Sequence, residues 1–215
     1  MDTSRPSRIL SWVARSHQSL VFGRRVRVLA NLLSAKVPAN SSLLDIGCGD
    51  GTISSLIQSA VPSVQIQGIE IAERPACRIP CRLFDGLHIP FPDATFDGCM
   101  LVDVLHHTKN IRELLAEASR VSRRFLLIKD HLSESQLDFY TLKFMDWIGN
   151  RPHGVLLPNN YQSRSQWDTH FDAAQLRLKS WQDQVPLYPF PFSGIFGRKL
   201  HFVALLEKKP VDSTP

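Results

Sequence analysis

The chain contains no apolar run near the roughly 18 residues that a membrane helix needs. Its N-terminus lacks the apolar core and small-residue cleavage site of a secretory leader. Cysteine is scarce: the four residues are Cys48, Cys77, Cys81 and Cys99, with no zinc-type CxxC pairing. They read as buried or incidental thiols rather than disulfides, which fits a reducing cytoplasm. Acidic residues are nearly missing from the first stretch, where Asp2 alone stands against Arg5, Arg8, Arg15, Arg24, Arg25, Arg27 and Lys36. The net charge of +5 permits an anionic partner, either nucleic acid or a membrane surface. There is, however, no RNA-recognition motif and no aromatic–basic alternation of the stacking kind. A solvated basic helix face is therefore favoured over a nucleic-acid patch.

What is present is ordinary for a globular protein: 43% hydrophobic residues in 215. That predicts one domain over 1–215 with a full-sized core. Its most informative stretch is Leu43-Leu44-Asp45-Ile46-Gly47-Cys48-Gly49-Asp50-Gly51. A short apolar run passes through an acid and breaks into alternating glycines, and a helical run, Thr52 to Ala60, follows. Strand, glycine turn and helix form the first unit of a doubly wound α/β sheet, whose ligands sit at the carboxyl ends of the strands. The spacing is GxGxG, not the GxGxxG of dinucleotide enzymes. A carboxylate at Asp45 would repel a pyrophosphate but could hold an ammonium group.

The remaining pattern alternates strands and helices. A helical cap over residues 8–36 carries Phe22, Val26, Leu29 and Leu33 on one face. Strands are expected at Ser42–Ile46, Val64–Ile69, Cys81–Phe84, Phe96–Val102, Phe125–Lys129, Leu176–Trp181 and Leu200–Glu207. Glu70 ends the second strand, where α/β nucleoside binders grip ribose hydroxyls; a carboxylate can accept from both. Asn110 is expected to cap a helix to Val121. Ser133, with Gln136 as its capping-box partner, is expected to start another helix. In that helix Leu137, Tyr140, Thr141, Phe144, Met145 and Ile148 recur at helical spacing, which reads as core packing. Ser165 is expected to cap a short helix to Ala174. Pro186 to Phe192 forms an aromatic hairpin that suits an aromatic or lipid-like acceptor, or a dimer contact.

The glycine stretch resembles motif I of the class I S-adenosylmethionine methyltransferases. The segment from Phe96-Asp97 through Leu105-His106-His107, with the helix Leu114 to Val121, resembles the ubiquinone-biosynthesis-like (type 11) branch of that family. The resemblance covers about residues 41–130. One departure is Arg120-Val121-Ser122-Arg123-Arg124, where the family has a turn with a glycine pair.

The resemblance implies a Rossmann-like seven-stranded sheet, mostly parallel, with strand 7 antiparallel between 5 and 6. It implies a cofactor half at 41–130 and an acceptor half at 131–209. The S-adenosylmethionine pocket would comprise Asp45, Gly47, Cys48, Gly49, Gly51, Glu70, Ile71, Asp85, Gly86, Val102 and Asp103. Asp85 would meet the adenine amino group, and Arg24 or Arg25 could pair with the cofactor carboxylate. The acceptor is expected to be a small molecule; an RNA-modifying enzyme and a non-catalytic cofactor-binding partner are the alternatives. A transfer to a hydroxyl or amine benefits from a general base. His131 is the candidate base, with Asp130 orienting it; His107 and His106 follow strand 4, and His153 lies in a loop. No cluster of metal ligands is apparent.

Overall fold

A computed structural model describes residues 23–210, apart from 75, 151–157 and 191–192. Seven strands form one sheet in the order β3-β2-β1-β4-β5-β7-β6. They are β1 (Ser42–Ile46), β2 (Gln65–Glu70), β3 (Cys81–Leu83), β4 (Phe96–Val102), β5 (Ser122–His131), β6 (Leu176–Gln182) and β7 (His201–Lys208). Strands β3-β2-β1-β4-β5 are parallel. Strand β7 runs antiparallel between β5 and β6, as expected. The order reverses at β1 and β4, so the loops leaving these two strands open side by side at the carboxyl edge.

The helices pack on both sheet faces. Helix α1 covers residues 23–34, α2 Thr52–Ala60, α3 Ile111–Val121, α4 Gln136–Asn150 and α5 Arg164–Ala173; a single turn, α6, covers Ser193–Phe196. One buried cluster joins α3 and α5 to the sheet through Leu114, Leu115, Ala118, Trp167 and Phe171. The other joins α1 and α2 to the opposite face through Leu29, Leu33 and Ile57. Val26, Leu29 and Leu33 are buried as the helical spacing predicts; Phe22 and His153 lie outside the described residues. Central strands buried on both faces need near-continuous apolar sequence, which β4 supplies from Cys99 to Leu101.

Several local expectations are corrected. Strand β5 runs on through Asp130 and His131, because β7 pairs with it up to His131 opposite His201. Asn110 holds the N-cap position of α3, but its side chain makes no capping bond. Its backbone N–H instead donates to Thr108 Oγ1 at 3.0 Å. Helix α4 is capped by Ser135, not Ser133: Ser135 Oγ donates to Asp138 Oδ2 at 2.7 Å and accepts from Asp138 N at 3.2 Å. The Ser133 N–H is committed to the Gln162 carbonyl. Ser163, not Ser165, caps α5, in a capping box with Gln166. The α4 stripe is core only in part: Leu137, Tyr140 and Phe144 are exposed, whereas Thr141 is half-buried and Met145 packs against the buried Leu142, Tyr161 and Leu200. In the hairpin, Leu187 is buried and Phe190 is 90% exposed.

The cap assignment is testable by urea denaturation. Ser135→Ala should lower stability by about 1 kcal/mol, and Ser133→Ala by clearly less; the reverse order would contradict the cap.

Candidate active site

The glycine loop is built from backbone. Gly47 and Gly51 have φ of +71° and +70°, and a Cβ on Gly47 would lie 2.6 Å from Val104 Cγ2. Only glycine meets both constraints. A Cβ on Gly49 would meet nothing within 4 Å, so the middle of the loop borders open space. The Gly47 N–H donates to the Ile69 carbonyl at 2.8 Å, which ties the loop to the end of β2.

Two carboxylates flank this loop. Glu70 is buried and accepts from Gly49 N at 2.9 Å and Ile71 N at 2.8 Å, one bond on each oxygen. Each oxygen keeps a further lone pair. Asp45 is buried, and its Oδ2 accepts from Ser54 Oγ at 2.5 Å. Burial pushes its carboxyl up to about 7, against the Ser54 bond.

The expected pocket residues beyond β2 also converge. Gly86 has φ +89°, and its Cβ would approach Ile71 Cγ2 to 3.2 Å. Asp85 lies exposed beside it and organises its own turn. Its Oδ1 accepts from Leu87 N (2.8 Å) and His88 N (2.6 Å), and its Oδ2 pairs with His88 Nδ1 (2.7 Å). These bonds, the His88 ring first, lower its carboxyl to about 2.

After β4 the chain turns at Asp103, a non-glycine residue with φ +58°. Its carboxylate receives two cations. Arg25 of α1 donates to Oδ2 at 2.6 Å, and Lys129 of β5 donates to Oδ1. Burial opposes the charge, but Lys129 and then Arg25 outweigh it and hold Asp103 far below the usual carboxylate range. Arg25 thus points inward, whereas Arg24 reaches the Pro186 carbonyl at 3.4 Å. Val102, at the end of β4, packs against the α1-side cluster.

Asp130 braces the next segment, and it is fully buried. Its Oδ2 accepts from Leu105 N at 2.9 Å; its Oδ1 accepts from His131 N and pairs with His106 Nδ1, both at 2.7 Å. The 3-10 turn Leu105–His107 is thereby pinned to the end of β5. Asp130 orients His106 more directly than His131, whose Nδ1 stands 3.5 Å from it and 3.0 Å from His106 Nδ1. The two rings are driven apart electrostatically. For His106 the cost of burial is outweighed by Asp130, and its pKa is raised. For His131 burial, reinforced by His106, lowers it to about 4. His107 is half-buried, with its ring centroid 3.9 Å from that of His106, and burial lowers its pKa.

Sequence reasoning missed Lys129, His201, Tyr161 and Asp146. Lys129 reads as the charged exit of a strand, yet it is fully buried, with Nζ 3.3 Å from His201 Nδ1. Tyr161 donates to Asp146 and places its ring 5.7 Å from that of His131. No local signal marks His201, Asp146 and Tyr161, because β7, α4 and the following loop supply them from far along the chain, and Lys129 gives none because its partners Asp103 and His201 are distant in sequence.

The comparisons agree with this architecture. A methyltransferase domain family matches residues 17–180. The chain belongs to that family. The 27-O-demethylrifamycin SV methyltransferase of Amycolatopsis mediterranei is 30% identical over 110 residues, 44% of this chain and 40% of that protein. The tRNA (carboxymethyluridine(34)-5-O)-methyltransferase of Schizosaccharomyces pombe is 31% identical over 91 residues, 40% of this chain and 38% of that protein. The chain therefore matches about two fifths of the length of these curated relatives. A solved SAM-dependent methyltransferase of Methanosarcina mazei superposes with a TM-score of 0.60 at 15% identity, over 83% of this chain and 97% of that one. This likeness is one of fold. As a member of the class I, type 11-like methyltransferase family, the chain has the sheet that its glycine stretch implied.

Buried neutral His131 makes a pH prediction. Its folded pKa of about 4 lies below the unfolded value of about 6.5. Between those values the unfolded chain binds the proton, so this contribution is lost as pH falls. It amounts to about 1.4 kcal/mol per pH unit. Asp45, raised to about 7, acts in the opposite sense over the same range, so the test is differential. Urea midpoints between about pH 6.5 and 5 should fall less steeply for His131→Gln than for wild type, by about one proton. Identical slopes would refute the assignment.

Proposed function

We propose that this chain is an S-adenosylmethionine-dependent methyltransferase acting on a small-molecule acceptor. The observation that carries the reading is the ring of functional groups around the glycine loop. Between Gly47 and Gly51, Gly49 leaves backbone open to a ligand, with Asp45 and Glu70 beside the loop and Asp103 across the β1–β4 gap. The donor set fits the cofactor. The free lone pairs of Glu70 suit vicinal ribose hydroxyls, and the open space beside Gly49 lets a ligand approach the loop. Asp45 offers a carboxylate to the ammonium end. Ile71 and Gly86, adjacent to each other, offer an apolar edge for the adenine. Asp85 keeps acceptor capacity for the adenine amino group, although its turn uses both oxygens.

The bound cofactor would supply a methyl group on a positively charged sulfur. The protein's own work is then placement, worth about 7–11 kcal/mol in favourable intramolecular cases, and proton handling. His131 is the proposed base, and Asp130 is a positioning residue that acts through its bonds to the His131 backbone and His106. Its low pKa keeps the His131 ring neutral near pH 7, the form that accepts a proton. His107 lines the same segment and is proposed to contact substrate or cofactor rather than carry the proton.

The acceptor side supports a small and partly apolar substrate. A solvent-open hollow of about 460 Å³, lined by Ser133, Glu134, Ser135, Gln136 and Phe139, begins two residues beyond His131 in the chain. Phe139 packs on Tyr161, and Tyr161 on His131. Leu137, Tyr140 and Phe144 are exposed on α4, the helix that begins at this hollow. The similarity to the yeast tRNA enzyme favours a second reading, RNA modification. RNA binding by this chain would weaken steeply with salt, whereas a small-molecule acceptor would not show that slope. Among the described residues no helix is long and apolar enough to cross a membrane. A cytoplasmic setting belongs to this proposal.

Calorimetry tests the cofactor site. S-adenosylhomocysteine should bind wild type, and Gly49→Val and Glu70→Ala should each lose at least about tenfold in affinity, the equivalent of one lost charged hydrogen bond. Wild-type affinity in both would refute the pocket. If Asp45 holds the ammonium, binding should tighten about fivefold from pH 6 to pH 7 as its carboxyl ionises, and Asp45→Asn should abolish that dependence. For the base, His131→Gln should cut turnover at saturating acceptor by about 10²–10⁴, with folding verified by circular dichroism. Unchanged turnover would eliminate this role.

A further inference from the structure

We infer that Cys48, Cys77 and Cys81 form a three-sulfur site for a soft, thiophilic cation of the zinc or cadmium type. The sulfurs come from three separate segments: the glycine loop, the link from β2 to β3, and the first residue of β3. Their ligand atoms all lie within 4.8 Å of one another, and Cys48 Sγ is 3.5 Å from Cys81 Sγ. Tetrahedral zinc with Zn–S bonds of about 2.3 Å requires sulfurs about 3.8 Å apart. The thiols therefore need only small shifts to surround one ion.

The fold makes room for this convergence. Gly68 of β2 pairs in register with Cys81. A Cβ at Gly68 would strike Cys48 Sγ at 2.5 Å, so the missing side chain is what lets Cys48 lie over β2 towards Cys81. A Cβ at Gly51 would likewise lie 3.1 Å from Cys77 Sγ. Glu70 stands beside Cys81 and adds negative charge, which favours a cation. The nearest guanidinium on β3, that of Arg82, is turned over the Phe91 ring, 5.4 Å from its centroid. Three sulfurs without imidazole or a coordinating carboxylate select soft metals over magnesium or calcium. On binding, each S–H bond gives its proton to solvent as a sulfur–metal bond forms. The ion would tie β3 and the β2–β3 link to the glycine loop. The inference does not depend on which reaction the chain catalyses.

Cadmium titration of the reduced, metal-free chain, followed by sulfur-to-cadmium charge-transfer absorbance, tests this site. The signal should saturate at one equivalent. Cys48→Ser and Cys81→Ser should each lose about one third of the amplitude and weaken binding at least about tenfold. Cys99→Ala should leave both unchanged, because Cys99 is buried elsewhere, against the Ala118 carbonyl. Cys81 is exposed on the edge strand β3, so its serine variant keeps the fold, verified by circular dichroism. Absence of saturation at one equivalent, or an unchanged amplitude in Cys81→Ser, would overturn the inference.

Discussion

A part-buried carboxylate at the switch point ties three elements of the carboxyl edge together. Asp103 stands at the end of β4 in a left-handed conformation and receives Arg25 from α1 and Lys129 from β5. Lys129 is fully buried, while the Asp103 and Arg25 side chains keep 19% and 31% exposure, so removing Asp103 would leave the buried ammonium without its carboxylate. The interaction therefore fixes the cap helix, the switch-point strand and its neighbour relative to one another. A purely apolar contact would tolerate sliding; a part-buried ion triad specifies position.

Asp130 repeats this logic one strand further. By accepting from Leu105 N, His131 N and His106, it welds the turn after β4 to the last residue of β5. The histidines around it acquire opposite tendencies from one source: His106 touches the carboxylate and is raised, while His131 feels burial and the neighbouring ring and is lowered. Two similar side chains with ring centroids 4.2 Å apart thus become chemically distinct. Separated acid–base tendencies of this kind are what proton handling requires.

Much of the cofactor half was legible because its signals are local. Apolar runs of strand length, glycines that must adopt positive φ, and an acid at a strand end are read over a few residues, and β1, α2, β4 and the Glu70 position followed from them. The caps went wrong where two serines competed: Ser133 has Gln136 at capping-box spacing, but the Gln162 carbonyl claims Ser133 N, and Ser163 rather than Ser165 has the Gln166 partner. The α4 stripe misled for a deeper reason. Helical periodicity shows that Leu137, Tyr140 and Phe144 share a face; it cannot show whether anything covers that face.

By itself, the sequence determined the element types, the glycine loop and the class of sheet, because backbone sterics and hydrophobic periodicity act between near neighbours. Only the tertiary structure decided which charges meet. Arg25 and Asp103 lie 78 positions apart, and Lys129 and His201 lie 72 apart. The antiparallel insertion of β7 buries Lys129 and carries His131 into the sheet. The three thiols are the plainest case: spacing gave them no relation, and the parallel register of β2 with β3, together with two missing side chains, brings them into one cluster.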